Sequence, residues 1–267
     1  MDEIKKFAVF GNPVNHSLSP VIHKEFAKQQ NLNIQYKMIE PESDDFETHA
    51  QSFFSKKGIG ANVTIPFKDD AYKFADDADD ISRECESSNT LWFNGEKIKA
   101  FNTDGQGFLN DLTNKQISLE GLNILLLGAG GSARSIIHSI SGKPIKSLSI
   151  YSRSQEKIDR LVDKYSAKIR TESYSDGKNF DFIINTTPVS MYRKDIEFPK
   201  GFLNSASITY DLFYTKNQTK FQKWSLDNGA NKSYNGLGML IEQAALSYEI
   251  WNNYKPDTTH IKKSLGF

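Results

Sequence analysis

The chain has 267 residues, with 33 Lys and Arg side chains balanced by 33 Asp and Glu, so its formal net charge is zero. This length suits two modest domains, and the apolar and charged fractions are ordinary for a globular protein. Because the basic residues are scattered, neither a nucleic acid nor an anionic membrane is expected as a partner. We therefore expect a small-molecule substrate.

Targeting and disulfide signals are also missing from the pattern. Residues 1–6 have no apolar core of a signal peptide, and no apolar run approaches the length of a membrane span. A single cysteine, Cys85, excludes an internal disulfide, and its neighbours Glu84 and Glu86 disfavour a reactive thiolate. These features predict a cytoplasmic protein with an inert cysteine.

Hydrophobic periodicity predicts alternating strands and helices in the first part of the chain. In chain order these are a strand at 7–11, a helix opened by Ser19-Pro20, a strand at 34–39, a helix at 44–56 ended by Gly58, and a strand at 60–65 stopped by Pro66. The acidic patch 69–80 is predicted to hold one or two short helices. Its aspartates favour helix ends and solvated positions over a metal site, so no metal is expected.

Asn94-Gly95 is the strongest hairpin signal in the chain, and it joins predicted strands at 90–93 and 97–101. A helix is predicted from Asp104 toward Leu112. Strand and helix then alternate, which predicts a parallel sheet with right-handed crossovers, over 122–127, 131–141, 147–151, 154–165, 180–184 and 207–212. A last long helix is predicted at 236–252.

An apolar run at 125–127 stops at the glycine cluster 128–131, and a helical pattern follows. Glycines at such a strand-to-helix turn let the backbone approach a pyrophosphate, which the helix N-terminus attracts. Ala133 stands where a third glycine is common, and alanine is allowed there. The pattern favours a dinucleotide-binding turn, and a tight turn with close helix–strand packing is the alternative.

The next predicted strand ends in Ser152-Arg153-Ser154, about 20 residues after the glycine turn, where the group that contacts the adenosine ribose is expected. An acidic residue there favours NAD. Arg153, flanked by hydroxyls and followed one turn later by Lys157, suits a 2′-phosphate and favours NADP. The alternative is that both cations are ordinary solvated charges at the start of a helix.

Three groups of polar residues lie ahead of the glycine turn. Ser17 and Ser19 could offer two hydroxyls to a carboxylate, although Ser19 could instead simply cap a helix. Lys68 follows a strand and could act as an acid or base, although a surface lysine is the simpler interpretation. Asp104 could cap the next helix or hold the Lys68 ammonium.

Together these segments resemble the shikimate dehydrogenase family, in order and spacing, over nearly the whole chain. The matching blocks are 7–26, with Gly11-Asn12-Pro13 and His16-Ser17-Leu18-Ser19-Pro20, then 62–68, 88–91, 102–105, 128–134, 211–214 and 235–240. Family members reduce 3-dehydroshikimate to shikimate with NADPH. The resemblance therefore implies an α/β protein of two domains, with an N-terminal α/β substrate domain and a Rossmann-like doubly wound parallel sheet.

The resemblance also implies roles for particular residues. It implies that Lys68 and Asp104 are the catalytic pair. Substrate contacts are implied at Ser17, Ser19, Thr64, Asn89, Asp104, Tyr214 and Gln243. NADP contacts are implied at Gly128, Ala129, Gly130, Gly131, Ser132, Ser152, Arg153, Ser154, Lys157, Leu212 and Gly236, with Asp80 a weaker candidate.

If Gln243 reaches the substrate, the last helix must return to the first domain. The substrate domain is then 1–101 plus 236–267, and the NADP domain is 102–235, with the reaction expected in the cleft between them.

Ser152 stands where many family members carry an asparagine, directly before Arg153. Two other functions stay open: that of a quinate/shikimate dehydrogenase that prefers NAD, and that of a non-catalytic NADP-binding regulator. The sequence does not decide between a monomer and a homodimer.

Overall fold

A computed structural model describes residues 4–191, 198–199 and 201–266. The chain forms two compact units, Met1–Phe108 with Leu240–Phe267, and Leu109–Met239. Each unit has its own six-stranded sheet with helices, which confirms the predicted α/β class. The predicted domain division assigns binding functions, which compactness does not test, so it stays a prediction.

The sheet of the first unit contains both parallel and antiparallel strands. Its strands are β1 (Lys5–Phe10), β2 (Ile34–Ile39), β3 (Gly58–Val63), β4 (Asp77–Ala78), β5 (Thr90–Phe93) and β6 (Ile98–Phe101). Their order is β2-β1-β3-β5-β6-β4. Strand β1 pairs in parallel with β2 and β3, whereas β5 is antiparallel to both β3 and β6.

The helices of the first unit begin with α1 (Ser19–Gln29), α2 (Phe46–Ser55), α3 (Lys68–Phe74) and α4 (Asp80–Cys85). Two longer helices contribute residues to both units, α5 (Asp104–Asn114) and α9 (Leu237–Asn252). A short helix α10 (Ile261–Ser264) follows near the C-terminus. Within the described residues, no helix combines the length and apolarity that crossing a bilayer requires.

Phenylalanine side chains dominate one face of the first sheet. Phe10, Phe46, Phe54 and Phe67 are buried together, and their rings meet edge-on or stacked, as Phe10 and Phe46 do at 5.6 Å. On the other face Phe7 stacks on the indole of Trp251 at 5.0 Å. Both faces of strand β1 are therefore buried over its last four residues.

Two sequence predictions for this unit need correction. Gly58 does not end a helix; it is the first residue of β3, and Lys57 makes the turn with a φ of 65°. The two-residue strand β4 was not predicted, because the acidic patch around it has no strand pattern. Its aspartates serve local structure: Asp79 caps α4 by accepting from the Ser82 N–H at 2.7 Å.

The second unit has a fully parallel sheet. Its strands are β7 (Asn123–Leu127), β8 (Ser147–Tyr151), β9 (Thr171–Ser173), β10 (Phe182–Asn185), β11 (Ile208–Asp211) and β12 (Lys232–Asn235). Their order is β12-β11-β10-β7-β8-β9, and every pair is parallel. The order reverses between β7 and β10, which is where a doubly wound sheet binds its ligand.

Among the described residues, the helices of this unit are α6 (Gly131–Ile140), α7 (Gln155–Tyr165) and α8 (Lys220–Asp227), and a 3₁₀ helix occupies Pro188–Met191. The predicted strands before β9 and the helices α6 and α7 are confirmed within a few residues. Strands β9 and β12 and helix α8 were missed, because all three are short and rich in polar residues. Helix α8 nevertheless has a local signal, a capping box formed by Thr219 and Gln222.

The buried carboxylate of Asp111 on α5 links this helix to β11 and lies against α9 within the second unit. It is 1% exposed, forms an ion pair with Lys115, and accepts a hydrogen bond from the Tyr210 hydroxyl at 2.7 Å. A Cβ placed on Gly238 of α9 would overlap this carboxylate. Only glycine therefore lets α9 approach so closely.

This close approach predicts the effect of a single methyl group. Gly238→Ala should lower the free energy of unfolding by about 1–3 kcal/mol, because the methyl must displace a paired, buried carboxylate. Gly142→Ala is the control, since a Cβ there has open space and φ is not positive. Chemical denaturation of both variants measures the difference; equal stabilities would contradict the close approach.

Candidate functional site

Lys68 and Asp104 form a buried ion pair in the first unit. Lys68 is the first residue of α3, just beyond the end of β3, and Asp104 is the first residue of α5, just beyond β6. The Lys68 ammonium donates a hydrogen bond to Asp104 Oδ2, and the two side chains are only 14% and 6% exposed. Limited access to water strengthens their attraction and holds the ammonium in one place.

The Asn89 amide fixes the other carboxylate oxygen of Asp104. Asn89 Oδ1 accepts from the Thr103 backbone N–H at 2.8 Å, which settles which end of the amide is the oxygen. Its Nδ2 donates to Asp104 Oδ1 at 3.0 Å and to Gln243 Oε1 at 2.9 Å. The carboxylate is therefore held on both oxygens, by Lys68 and by Asn89.

Gln243 joins this group from helix α9. It is 6% exposed, and its Nε2 donates to the Leu240 carbonyl at 2.8 Å. The α5 backbone must pass very close to it, because a Cβ on Gly107 would overlap the Gln243 backbone and Cβ. The geometry thus brings together four of the residues predicted from sequence: Lys68, Asp104, Asn89 and Gln243.

The predicted serine pair lies at the start of α1. Ser19 is buried, and its backbone N–H donates to Ser17 Oγ at 3.3 Å. The Ser19 side chain does not cap the helix, since the N-cap position is Leu18 and has no side-chain cap. The alternative that Ser19 serves only as a helix cap therefore finds no support.

Thr64 follows β3 directly, four residues before Lys68. Its N–H donates to the Phe10 carbonyl at 2.8 Å, and its side chain is half-buried. A Cβ on Gly11 would overlap the Thr64 methyl, so the loop after β1 packs tightly against this residue. Thr64 therefore lies at the edge of the sheet where β1 and β3 both end.

Sequence reasoning did not assign a role to a further set of buried polar residues: His23, Tyr36, Asn62, Thr90 and Ser247. Asn62 Oδ1 accepts from the Tyr36 hydroxyl at 2.7 Å and lies 3.0 Å from His23 Nε2. Burial lowers the pKa of His23 to about 3. The only signal in the sequence was the alternation of polar residues in Asn62-Val63-Thr64.

A buried neutral histidine makes stability depend on pH. The unfolded chain takes up a proton below the ordinary histidine pKa of about 6.5, whereas folded His23 stays neutral down to about pH 3. Stability is therefore lost as the pH falls, by about 2 kcal/mol between pH 7.5 and pH 5. Urea denaturation of His23→Gln should show a pH dependence weaker by that amount.

His49→Gln provides the matched control, because His49 is exposed on α2. It should keep the pH dependence of the parent protein. If His23→Gln also keeps it, then His23 titrates in the folded state and is not buried as a neutral ring.

The glycine turn of the second unit joins β7 to α6. Gly128 has a φ of +115°, and a Cβ there would overlap the Thr186 hydroxyl, which itself donates to the Leu127 carbonyl at 2.8 Å. Helix α6 starts at Gly131 behind an extended, exposed Gly130, with no side-chain cap and no acidic residue in its first turn. Such an N-terminus attracts an anion. Ala129 is buried in the turn, and Ser132 lies in the first turn of α6.

The segment after β8 presents the predicted contacts for the adenosine end. Ser154 caps α7 by accepting from the Lys157 N–H at 3.4 Å, and Ser152 Oγ accepts from the Ser154 N–H at 3.4 Å. Arg153 and Lys157 are both exposed. Exposure suits a ligand contact and a solvated charge equally, so their role stays a prediction.

A buried carboxylate organises the loop after β11. Asp211 accepts from Asn185 Nδ2 at 2.9 Å and from the Ser190 hydroxyl at 2.6 Å, and burial raises its pKa. This loop carries Leu212 and Tyr214, whose ring is half-buried and stacks on Phe213. The Gly236 N–H donates to the Phe213 carbonyl at 3.0 Å, and a Cβ on Gly236 would overlap the Leu212 carbonyl.

Two predicted residues lie in a different unit from the other predicted contacts to the same ligand. Tyr214 belongs to the second unit, whereas the other predicted substrate contacts belong to the first. Asp80 is exposed at the start of α4 in the first unit, whereas the other predicted NADP contacts belong to the second. Among the described residues no group of three or more His, Cys, Asp or Glu side chains is arranged to hold a metal.

The strand order of the second unit and its glycine turn define a Rossmann-like α/β protein. Three family models match successive parts of the chain. Residues 9–91 match a shikimate dehydrogenase substrate binding domain, residues 111–193 match a shikimate / quinate 5-dehydrogenase model, and residues 236–265 match a shikimate 5'-dehydrogenase C-terminal domain.

Curated and solved relatives extend over the full chain. A shikimate dehydrogenase (NADP(+)) of Vibrio atlanticus is 39% identical, over 98% of this chain and 97% of that protein. The solved shikimate dehydrogenase of Aquifex aeolicus superposes with a TM-score of 0.88 at 29% identity, over 99% and 98% of the two chains. A shikimate dehydrogenase solved in complex with NADP+ gives 0.86 at 28% identity, over 98% and 94%. The chain belongs to the shikimate dehydrogenase family.

Proposed function

We propose that the protein catalyses the reversible, NADPH-dependent reduction of 3-dehydroshikimate to shikimate, a step of aromatic amino-acid biosynthesis. The observation that carries this proposal is the buried Lys68–Asp104 pair beside Asn89 and Gln243. The curated relatives named as NADP(+)-dependent shikimate dehydrogenases support the same reaction.

The chemistry requires a proton at the carbonyl oxygen of the substrate. When bound, NADPH supplies a hydride to the carbonyl carbon, and negative charge develops on the oxygen. Lys68, as an ammonium, gives its proton to that oxygen, and in the reverse direction the neutral amine takes the proton from the alcohol. This donor stabilises charge that exists only in the transition state, so it accelerates the reaction and not merely binding.

Asp104 positions the proton donor. One of its oxygens binds Lys68, and the other is held by Asn89. A substrate hydroxyl next to the carbonyl would be recognised by the same carboxylate. Ser17, Ser19 and Thr64 would bind the substrate carboxylate and ring hydroxyls from the first unit, together with Asn89, Gln243 and Tyr214. Each polar contact left unpaired would penalise an analogue that lacks the group.

The residues of the second unit fit a dinucleotide phosphate. The α6 N-terminus carries no acidic residue, and Gly130 just ahead of it is exposed, with open space where a Cβ would stand. The turn from Gly128 to Ser132, with Leu212 and Gly236, would hold the pyrophosphate and nicotinamide parts. Ser152, Arg153, Ser154 and Lys157 would hold the 2′-phosphate, and Asp80 is a weaker candidate for a cofactor contact.

Replacement of the proton donor tests the catalytic assignment. Lys68→Ala should lower kcat for shikimate oxidation by about 10²–10⁴-fold with little change in KM for shikimate, because the ammonium acts mainly in the transition state. Lys73→Ala, an exposed lysine on the same helix, is the control. Steady-state kinetics with NADP measure both. Near-normal turnover of Lys68→Ala would rule out Lys68 as the donor.

Replacement of the arginine tests the cofactor assignment. Arg153→Ala should weaken NADPH binding by about 10–100-fold, because a charge-assisted contact to the 2′-phosphate is lost, and should leave NADH binding nearly unchanged. Arg160→Ala, on an exposed position of α7, provides the control. Fluorescence titration with both cofactors measures the effect. Equal losses for NADPH and NADH would show that Arg153 does not read the phosphate.

Rates with shikimate and quinate, each with NADP and NAD, separate this function from that of a quinate/shikimate dehydrogenase preferring NAD. They also separate it from that of a non-catalytic NADP-binding regulator, which would show no turnover at all. The proposal includes a cytoplasmic location, a monomer or homodimer, and no nucleic-acid or membrane partner.

A further inference from the structure

A continuous chain of buried hydrogen bonds runs through the first unit from Tyr36 toward the Lys68–Asp104 pair. It begins at the buried phenol of Tyr36, which donates its one proton to Asn62 Oδ1 at 2.7 Å.

Asn62 carries the chain across the unit. Its Oδ1 accepts from Tyr36 and must also accept from His23 Nε2, at 3.0 Å, which places the imidazole proton on Nε2. Its Nδ2 donates to Ser247 Oγ at 2.9 Å. Both ends of the Asn62 amide are therefore hydrogen-bonded, with Oδ1 as the acceptor and Nδ2 as the donor.

Ser247 passes the chain to the candidate catalytic group. Its side chain is fully buried on α9, and its hydroxyl lies 2.7 Å from Thr90 Oγ1 and 3.0 Å from the Gln243 carbonyl. Because each hydroxyl has one proton, the chain has one consistent direction: Ser247 donates to Thr90 Oγ1, and Thr90 donates to Asn89 Oδ1 at 3.2 Å. Asn89 is the residue that holds Asp104, so hydrogen bonds between buried groups connect Tyr36 to the ion pair.

We propose that Tyr36, Asn62 and Ser247 are positioning residues, which orient the Asn89–Asp104–Lys68 group as one connected unit. This inference rests on the proposed dehydrogenase function. It explains why a β-strand tyrosine, an asparagine and a helix serine are buried here where apolar side chains would pack without needing partners. Tyr36, Asn62 and Ser247 all have hydrogen-bond partners, and buried polar groups that are hydrogen-bonded to one another hold a single arrangement.

Two substitutions interrupt the chain with little change in shape. Tyr36→Phe removes only the hydroxyl and keeps the ring that stacks on His23 at 4.7 Å. Ser247→Ala removes only the hydroxyl between Asn62 and Thr90. Tyr248→Phe is the matched control, because Tyr248 packs near the same imidazole but donates its hydroxyl to Gln30, outside the chain.

Steady-state kinetics of shikimate oxidation with NADP measure the effect of each break. We expect Tyr36→Phe and Ser247→Ala each to lower kcat/KM about fivefold, mainly through kcat, because Asn89 and Asp104 are less firmly held when the chain behind them is broken. Tyr248→Phe should keep both constants. Thermal unfolding of each variant shows whether the fold is intact.

The double variant tests whether the chain is one unit. Independent sites would multiply to about 25-fold, whereas a connected chain loses less than that product, since the first break already releases Asn62. A loss of about 25-fold in the double variant would show that the two sites act independently, and it would overturn the proposal of one connected unit. Single variants whose kcat and KM match those of Tyr248→Phe would overturn the positioning roles, while an active parent protein would leave the dehydrogenase function standing.

A second readout does not depend on turnover. The side-chain amide ¹H–¹⁵N signals of Asn62, Asn89 and Gln243 report the hydrogen bonds directly. Tyr36→Phe should shift the Asn62 signals and, through Ser247, those of Asn89, and Tyr248→Phe should shift neither. Unchanged Asn89 signals in Tyr36→Phe would overturn the connection even in a protein that failed to oxidise shikimate.

Discussion

The buried ion pair between Lys68 and Asp104 is the interaction on which the rest of the first unit depends. Burying an ammonium and a carboxylate is costly unless each is well partnered. Asn89 meets that requirement at Asp104, and its own orientation is imposed by a backbone N–H of Thr103. Thr90, Ser247 and Asn62 are buried beyond Asn89, and the core accommodates them because each is hydrogen-bonded to the next.

The second unit depends on a different constraint, the close approach of backbones at glycine positions. Gly128 and Gly236 stand where a Cβ would overlap a neighbouring hydroxyl or carbonyl, and Gly238 stands against the paired carboxylate of Asp111. These contacts bring the ends of β7, β10 and β11 and the start of α9 close together. The edge so formed carries the candidate cofactor contacts, because it lies where the strand order of the parallel sheet reverses.

Much of the fold could be predicted from the sequence because its signals are local. Period-2 and period-3.6 patterns located most strands and helices, and Asn94-Gly95 located the hairpin between β5 and β6. Elements such as β9 and β12 were missed because their few residues carry no periodicity, and only pairing with a neighbouring strand stabilises them. Gly58 misled the prediction because glycine marks both helix ends and strands that pack closely, here against the Phe53 ring.

By itself the sequence determined the α/β class and the glycine turn, because these follow from periodicity and a local motif, and it indicated the residues of the candidate site through its resemblance to a known family. Only the tertiary structure decided that Asn89 links Asp104 to Gln243, two residues far apart along the chain. Only the tertiary structure also connected Tyr36, Asn62 and Ser247. Hydrogen bonds between distant strands and helices leave no periodic trace in a single sequence, since a buried serine or tyrosine reads the same as a solvated one until its partners are in place.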